Sequence, residues 1–136
     1  MNVENAVMPT MDQIAATFHA PEAGPFVMVN LLKFREVADY ASGEKVSGRE
    51  AYLRYGDRVR VLAESLGGRV IYSGAVTGLM LGQVEELWDA VALMEYPSRA
   101  AFLAMTQMPE FHEIEVHRAA GLAGQLNIET RAMAAG

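Results

Sequence analysis

The sequence lacks cysteine entirely. Disulfide bonds, thiolate metal sites and cysteine nucleophiles are therefore excluded. Basic residues are also few, because 11 Lys and Arg stand against 17 Asp and Glu and give a formal net charge of −6 at pH 7. Affinity for nucleic acid depends on concentrated Lys and Arg, so this balance predicts that no nucleic acid is a partner.

Long hydrophobic runs are missing as well. No stretch approaches the roughly eighteen apolar residues of a membrane span, and residues 1–13 contain no basic region followed by an apolar run. We therefore expect no membrane partner and a cytoplasmic protein. The chain of 136 residues suits one domain, and its 51% of hydrophobic residues exceeds what a small monomer needs for its interior. Part of the apolar surface is predicted to face another subunit.

Hydrophobic patterning predicts the order helix, strand, helix, strand, strand, helix, strand. The predicted elements are a capped helix over 10–18, strands over 26–34, 69–76, 87–96 and 125–130, a helix over 49–66, and a helix from 98 that breaks near 107 and continues over 110–120. The last six elements follow the split βαββαβ plan of a ferredoxin-like α+β domain with an antiparallel four-stranded sheet. The helices cover one face of such a sheet, and the other face is open unless a second copy covers it.

These elements divide the chain into three parts. Residues 1–25 are predicted to be an N-terminal helical extension, residues 26–130 the ferredoxin-like domain, and residues 131–136 a frayed tail. Within the domain, residues 35–48 are polar and form a loop of unusual length, which is typical of functional or mobile segments.

Asn30 and Arg118 are the polar residues at the most unexpected positions. Asn30 interrupts an apolar strand, where it either binds a ligand or bonds to nearby backbone. One stripe of the last helix, at about 100° per residue, holds Phe111, Ile114, Arg118 and Leu122. A guanidinium in a core-facing row needs an anion or a route to solvent. It is interpreted either as an anion-binding group or as a side chain that reaches solvent or pairs with an acid such as Glu115.

His112 and His117 invite a comparison with zinc-binding helices. They are five residues apart and so about 140° apart around the axis, which prevents one ion from reaching both. No metal and no cofactor are therefore predicted. His117 is kept as a candidate acid or base beside Arg118, against the simpler interpretation of a solvated surface histidine.

Aromatic residues supply the candidate substrate-binding surface. Tyr52 and Tyr55 lie on the apolar stripe of the first long helix, where they are either core residues or part of a polar cluster facing the same sheet as Asn30. Tyr72 and Trp88, predicted to lie on strands, are candidates for an aromatic wall. No glycine pattern fits a nucleotide site and no serine elbow occurs.

Four spaced motifs resemble a known family. They are Val29–Phe34, Gly48–Gly56, Trp88–Asp89, and Tyr96–Phe102 with the helix through Arg118. In this order they resemble the family called domain of unknown function 1330 (DUF1330), over residues 26–130. That family belongs to the dimeric α/β-barrel superfamily. The resemblance implies a homodimer whose sheets face each other, with pockets between sheet and helices, and it implies no reaction.

Haem-degrading monooxygenases of that superfamily are similar in layout and provide a minor alternative. Asn30 matches their asparagine, but Tyr96 stands at the position of their tryptophan and Glu115 at that of their histidine. Without that histidine, the resemblance does not imply haem as a cofactor.

Two classes of function remain open. The first is a cofactor-independent enzyme for a small apolar or aromatic compound with an acidic or enolisable group, in which His117 or a tyrosine moves a proton while Arg118 or Asn30 stabilises the anion. The second is a non-catalytic dimer that binds a small ligand or has only a structural role. A histidine or tyrosine with a strongly shifted pKa near Asn30 or Arg118 favours the enzyme.

Overall fold

The structure, a computed structural model, describes residues 1–133. Its elements are α1 (Met11–His19), β1 (Phe26–Phe34), α2 (Gly48–Ser65), β2 (Arg69–Ala75), β3 (Ala90–Tyr96), α3 (Arg99–Thr106), α4 (Pro109–Gly121) and β4 (Leu122–Thr130). The predicted order of elements is confirmed.

Local chemistry explains where the helices begin. Thr10 and Gln13 form a capping box at the start of α1, in which each side chain accepts a hydrogen bond from the backbone N–H of the other. Ser47 and Ser98 cap α2 and α3 with their hydroxyls. Pro109 occupies the first turn of α4, where its missing N–H costs nothing, and this accounts for the predicted break after α3.

The four strands form one antiparallel sheet in the order β2-β3-β1-β4. This order, with α2 and then α3 and α4 inserted between strands, is the ferredoxin-like α+β fold that the sequence predicts. Phe26 and Leu32 of β1 are buried beneath the helices. The main core cluster consists of Phe26, Tyr55, Val59, Ala63, Met94, Tyr96, Met105, Phe111 and Ile114.

The opposite face of the sheet is apolar and only half-buried. Val27, Val29 and Leu31 alternate with the buried residues of β1 and therefore point to this side. Their neighbours across the sheet on the same face are Val91, Leu93, Leu126 and Ile128. A row of this kind is unusual for a sheet face in water, where polar residues alternate with buried ones.

β3 begins later than predicted, so Trp88 does not lie on a strand. Regular pairing begins at Ala90, although the N–H of Asp89 donates to the carbonyl of Leu32 at 2.8 Å and the carbonyl of Asp89 accepts from the N–H of Val76 at 2.9 Å. The side chain of Asp89 is also engaged: one carboxylate oxygen accepts from the N–H of Phe34 at 2.8 Å and the other pairs with Lys33 at 3.3 Å. The ammonium of Lys33 also donates to the carbonyl of Leu87 at 3.2 Å.

The C-terminal end also differs from prediction. β4 begins at Leu122 rather than at Gln125, directly after α4. Arg131, predicted to lie in a frayed tail, is instead fixed, because its guanidinium donates to the carbonyls of Ala23, Gly24 and Pro25. Residues 134–136 of the predicted tail lie outside the described residues.

The long loop over 35–48 is folded against the helices. The N–H of Ala38 donates to Val46 across the loop, and the N–H of Asp39 donates to Ala120 near the end of α4, each at 2.9 Å. Ala38, Ala51 and Ala120 form a small buried cluster beneath it. The loop therefore belongs to the packed domain.

Within residues 1–133, no helix is both long enough and apolar enough to cross a membrane.

Candidate functional site

A chain of hydrogen bonds joins α4 to three strands. The guanidinium of Arg118 donates to the side-chain oxygen of Gln125 at 3.1 Å. The amide nitrogen of Gln125 donates to Asn30 at 3.1 Å and to Asn127 at 2.7 Å. Asn30 in turn donates to the carbonyl of Ala92 at 3.1 Å. Asn30 and Arg118 are thus brought together, with Gln125 between them.

The sheet register places these hydrogen-bonded side chains on the face of the sheet that the helices cover. Asn30 lies two residues from the buried Leu32 and points to the same side. Gln125 is paired with Leu32 and Asn127 with Asn30, so all four share the helix-covered face. Gln125 is only 8% exposed, and a buried amide of this kind must be fully hydrogen-bonded. The site is therefore built on rigid elements.

The charge of Arg118 has no acidic partner among the described residues. Glu115, which the sequence offered as a partner, instead lies 3.5 Å from the Nδ1 atom of His112. The guanidinium carbon of Arg118 lies 6.0 Å from the centre of the Tyr55 ring, a cation–π contact. Its second terminal nitrogen faces the sulfur of Met8 at 3.8 Å. Within residues 1–133, the guanidinium of Arg118 is thus contacted by an amide, an aromatic ring and a thioether, and by no carboxylate.

Tyrosines border this network on the side of the core. The rings of Tyr52 and Tyr55 lie 5.6 Å apart, and Tyr96 is buried nearby. Burial raises the pKa of Tyr55 to about 12, while the charge of Arg118 acts in the opposite direction. Burial likewise raises the pKa of Tyr52 and that of Tyr96. At neutral pH all three phenols are hydrogen-bond donors.

The hydroxyls of Tyr52, Tyr55 and Tyr96 make no hydrogen bond within residues 1–133, yet no fully buried side-chain oxygen or nitrogen there lacks a partner. Each hydroxyl must therefore border space that solvent can reach. Phenol donors, a guanidinium and apolar core residues are side chains of the kind that bind an acidic group attached to an apolar body.

His117 belongs to a different cluster. Its Nδ1 atom lies 2.6 Å from the hydroxyl of Tyr40, which also accepts a hydrogen bond from Arg54 at 3.2 Å. Glu44 holds the guanidinium of Arg54 with both carboxylate oxygens, the nearer at 2.7 Å. The phenol donates to Nδ1 when the imidazole carries its proton on Nε2, and it accepts when Nδ1 is protonated. Burial and the charges of Arg54 and Arg58 lower the pKa of His117. The contacts of His117 therefore lead away from Arg118.

Two predicted aromatic residues lie outside the site. Tyr72 is paired with Leu93 on the open face of the sheet and is 58% exposed. Trp88 precedes β3, and its indole N–H donates to the side chain of Asn5 at 2.7 Å. The structure thus does not bring these two side chains together with Tyr52 and Tyr55.

Gly56 of α2 shows no close approach to another element. A Cβ atom added there would meet only the ring of Tyr52, at 3.8 Å, which is an ordinary contact. Close backbone packing is found instead where α2 meets α4, because a Cβ on Gly121 would lie 2.5 Å from the carbonyl of Gly48.

An open cleft of about 650 Å³ lies apart from this site, at the end of β1. Its charged lining residues are Lys33, Arg35, Glu36, Arg49, Glu86 and Asp89. Lys33 is already paired with Glu86 and Asp89. The cleft therefore has a mixed lining of basic and acidic side chains that lie on an open surface, whereas Arg118 lies against the buried Gln125 and the Tyr55 ring.

The residues do not fit a haem or a metal ion. Within residues 1–133, no three His, Asp or Glu side chains are grouped to hold a metal. Glu115, at the position of the monooxygenase histidine, is turned to His112, and His117 is occupied by Tyr40. The haem alternative therefore has no axial ligand to support it.

Sequence reasoning missed several residues of the site. The sequence predicts Gln125 as the first residue of a strand, and its polarity within an apolar sheet is the signal that could have identified it. Tyr96 was noticed only through the monooxygenase comparison. Tyr40 and Met8 lie in segments without periodicity, where sequence pattern carries no information about contacts.

The fold and the site define a class: a ferredoxin-like α+β domain in which Arg118 of α4, without an acidic partner among residues 1–133, bonds to a buried glutamine of the sheet. The chain belongs to the DUF1330 family, described as a domain of unknown function, whose model matches residues 40–129. The resemblance predicted from the sequence is confirmed over this range. No curated protein matches the chain.

Solved structures agree with this assignment. The RPA0582 protein of unknown function from Rhodopseudomonas palustris is 34% identical, with a TM-score of 0.85 over 96% of this chain and 98% of that one. The methylated form of RPA0582 gives a TM-score of 0.88 at the same 34% identity, over 97% and 98% of the two chains. A NIPSNAP-like domain protein from Burkholderia xenovorans is 17% identical, with a TM-score of 0.52 over 81% and 86%, and shares the fold alone.

Proposed function

We propose that the protein is a homodimer that binds a small carboxylate with an apolar or aromatic body, and that Arg118 holds the carboxylate. The observation that carries this proposal is the guanidinium with no carboxylate partner among residues 1–133, held in place by the buried Gln125. A planar guanidinium binds a carboxylate through two parallel hydrogen bonds, which is the strongest polar contact that the site offers.

The rest of the ligand is proposed to lie against the tyrosines. Tyr52, Tyr55 and Tyr96 supply ring surface on the core side, and their hydroxyls border reachable space. Aromatic rings bind flat apolar groups well, and phenols that keep their protons donate to a second polar atom of the ligand. An aromatic carboxylate therefore fits this lining better than an aliphatic polyanion does.

Binding is favoured over proton-transfer catalysis. A general base for an enolisable substrate needs a pKa near the working pH. The pKa of Tyr55 is about 12, and that of Tyr52 is raised in the same direction, so neither phenol accepts a proton at neutral pH. His117 is bonded to Tyr40 instead. Among residues 1–133, the site thus combines an anion-binding group with no base beside it.

The homodimer is proposed from the open face of the sheet. Val29, Leu93 and Ile128 are adjacent in register and form the middle of an apolar row that is only partly buried in one chain. A second copy placed against this face removes the row from water, at about 25 cal/mol per Å² of apolar area. The helix-covered face, with the Arg118 site, remains accessible in such a pair.

Isothermal titration with benzoate tests the ligand proposal, and benzamide serves as its uncharged analogue. Wild-type protein is expected to bind benzoate and to bind benzamide at least tenfold more weakly, since one charge-assisted bond contributes about 1.5–3 kcal/mol. Arg118→Gln is expected to abolish this preference. The matched control is Arg60→Gln, because Arg60 is exposed on α2 and pairs only with Glu64.

Equal affinity of Arg118→Gln and wild type for benzoate would overturn the proposal. Circular dichroism of each variant shows whether the fold is intact, so that lost binding is not mistaken for lost structure. Tyr55→Phe provides a second probe of the same space, with the fold unchanged and benzoate affinity reduced.

A further inference from the structure

The segment over residues 5–8, which we name the strap, lies across the Arg118 site. It precedes α1 and lies outside residues 40–129, the range that the family model describes. Its residues are exposed or half-buried, and within residues 1–133 three hydrogen bonds join it to the rest of the domain. A segment fastened by so few contacts opens at low free-energy cost.

Two of these contacts fasten the strap to β4 and to the start of β3. The N–H of Ala6 donates to the carbonyl of Gln125 at 3.1 Å, in an isolated antiparallel bridge. The side chain of Asn5 accepts the indole N–H of Trp88 at 2.7 Å. The strap therefore shares Gln125 with the anion site, through the backbone of that residue.

Gly124 makes room for the strap. A Cβ atom at Gly124 would lie 2.6 Å from the Cβ of Asn5, closer than two carbon atoms can approach. The backbone of Gly124 is not in the left-handed region, so its missing side chain is explained by this close approach. The lack of a side chain at Gly124 thus allows the strap to lie close against β4.

The third contact pairs a strong hydrogen-bond donor with a weak acceptor. Arg118 points its second terminal nitrogen at the thioether sulfur of Met8, 3.8 Å away. A thioether is a weak hydrogen-bond acceptor, whereas a guanidinium bonds most strongly to a carboxylate. Met8 is 66% exposed, so leaving this position costs it little buried area. A ligand carboxylate would make a stronger contact with the same nitrogen.

We propose that the strap is a displaceable cover of the anion site: a ligand carboxylate takes the place of Met8 on Arg118 and releases residues 5–8. This inference rests on the proposed function, because it concerns access to the same guanidinium. The apparent affinity equals the intrinsic affinity multiplied by the fraction of molecules in which the strap is open. The strap therefore sets how tightly a carboxylate binds.

Titration of benzoate into variants of the full chain tests this inference. Met8→Ala removes the sulfur, and Asn5→Ala removes the bond to Trp88 without touching Arg118. Each is expected to tighten benzoate binding, by roughly tenfold if the strap is closed in about nine molecules of ten. Met11→Ala is the matched control, because Met11 is 80% exposed on α1. This variant is expected to bind benzoate with the affinity of the wild type.

Hydrogen exchange gives an independent readout of the same motion. The amide of Ala6 is expected to exchange faster in protein saturated with benzoate, because the bridge to Gln125 opens. Methyl-labelled methionine spectra are expected to show the Met8 signal, assigned by Met8→Leu, moving on benzoate addition while the Met11 signal does not.

The outcomes separate this inference from the proposed function. Benzoate binding that depends on Arg118 but is unchanged or weakened by Met8→Ala and Asn5→Ala would overturn the strap alone. Slower exchange at Ala6 in the presence of benzoate would do the same. No binding to wild type or to either strap variant would overturn both ideas. Binding that appears only in the strap variants and is lost with Arg118→Gln would support both.

Discussion

The hydroxyl of Tyr40 and the Nδ1 atom of His117 are 2.6 Å apart, and this hydrogen bond fastens the loop over 35–48 to α4. Arg54 donates to the same hydroxyl, and Glu44 from the loop holds Arg54. A neutral imidazole with its proton on Nε2 accepts the hydrogen bond from the phenol through Nδ1. A residue chosen from sequence as a catalytic base thus supports a loop in the structure.

Stability is expected to fall on acidification because of His117. Its pKa is lowered from 6.5 in the folded state, so the unfolded chain takes up this proton first. The contribution is fully present above about pH 6.5 and is lost as pH falls through the lowered pKa. In urea unfolding series between about pH 8 and about pH 5, His117→Gln is expected to flatten this part of the profile.

The control for this series is His112→Gln, on the exposed side of the same helix. The unfolding free energy of His112→Gln is expected to fall on acidification as steeply as that of the wild type, whereas that of His117→Gln falls less steeply. A slope unchanged by His117→Gln would show that the Tyr40 bond does not report the charge of this imidazole.

Tyr55 is expected to govern stability at the alkaline end. Its pKa is raised from 10.0 to about 12 on folding, so the unfolded chain loses this proton first. The contribution is fully present below about pH 10 and is lost as pH rises through about 12. Tyr55→Phe is expected to reduce the alkaline loss of unfolding free energy, measured in urea between about pH 9 and about pH 11.5. Tyr72→Phe, which changes an exposed tyrosine, is expected to leave it as in wild type.

Gly121 and Gly56 are expected to respond oppositely to substitution by alanine. A Cβ on Gly121 would lie 2.5 Å from the carbonyl of Gly48 and 2.7 Å from the N atom of Tyr52, both backbone atoms that cannot move alone. Gly121→Ala is expected to lower the free energy of unfolding by about 1–3 kcal/mol. Gly56→Ala, in open space within α2, is expected to raise it by about 0.5–1 kcal/mol. Urea denaturation compares them, and equal effects would contradict the close approach of α2 and α4.

Leu93 tests the proposed dimer. Leu93 lies beside Val29 in the apolar row on the open face of the sheet. Wild-type protein is expected to sediment at twice the 14.8 kDa mass of one chain, and Leu93→Lys at that single mass, because an ammonium in an apolar interface is strongly unfavourable. Val61→Lys, on the exposed side of α2, is expected to remain dimeric. A dimer that tolerates Leu93→Lys would place the interface elsewhere.

The fold was predictable because its signals are periodic. The stripe of Phe111 and Ile114, the capping box of Thr10 and the proline at 109 each act within a few residues, and all are found as predicted. The sequence also singles out Arg118, because it is a charged residue within the apolar stripe of the last helix. Its relation to Asn30 follows from the order of strands.

The contacts between distant polar side chains were not predictable in the same way. Leu87 and Trp88 extend the apolar pattern of β3 and so predict a longer strand, but β3 begins at Ala90 and the indole of Trp88 donates to Asn5, 83 residues away. The partner of His117 lies 77 residues away in a loop. Such pairings depend on how loops close over a finished fold, and no local pattern encodes them.

The hydrogen bonds that lead from Arg118 all run in one direction. The guanidinium donates to Gln125, which donates to Asn30, which donates to the carbonyl of Ala92. Dipoles aligned in this way polarise one another, so a positive charge at the head strengthens each bond below it. Neutralising Arg118 with an anion weakens the whole series at once. A change of charge at Arg118 thereby changes the strength of a hydrogen bond to β3, on the far side of β1, without any movement of the backbone.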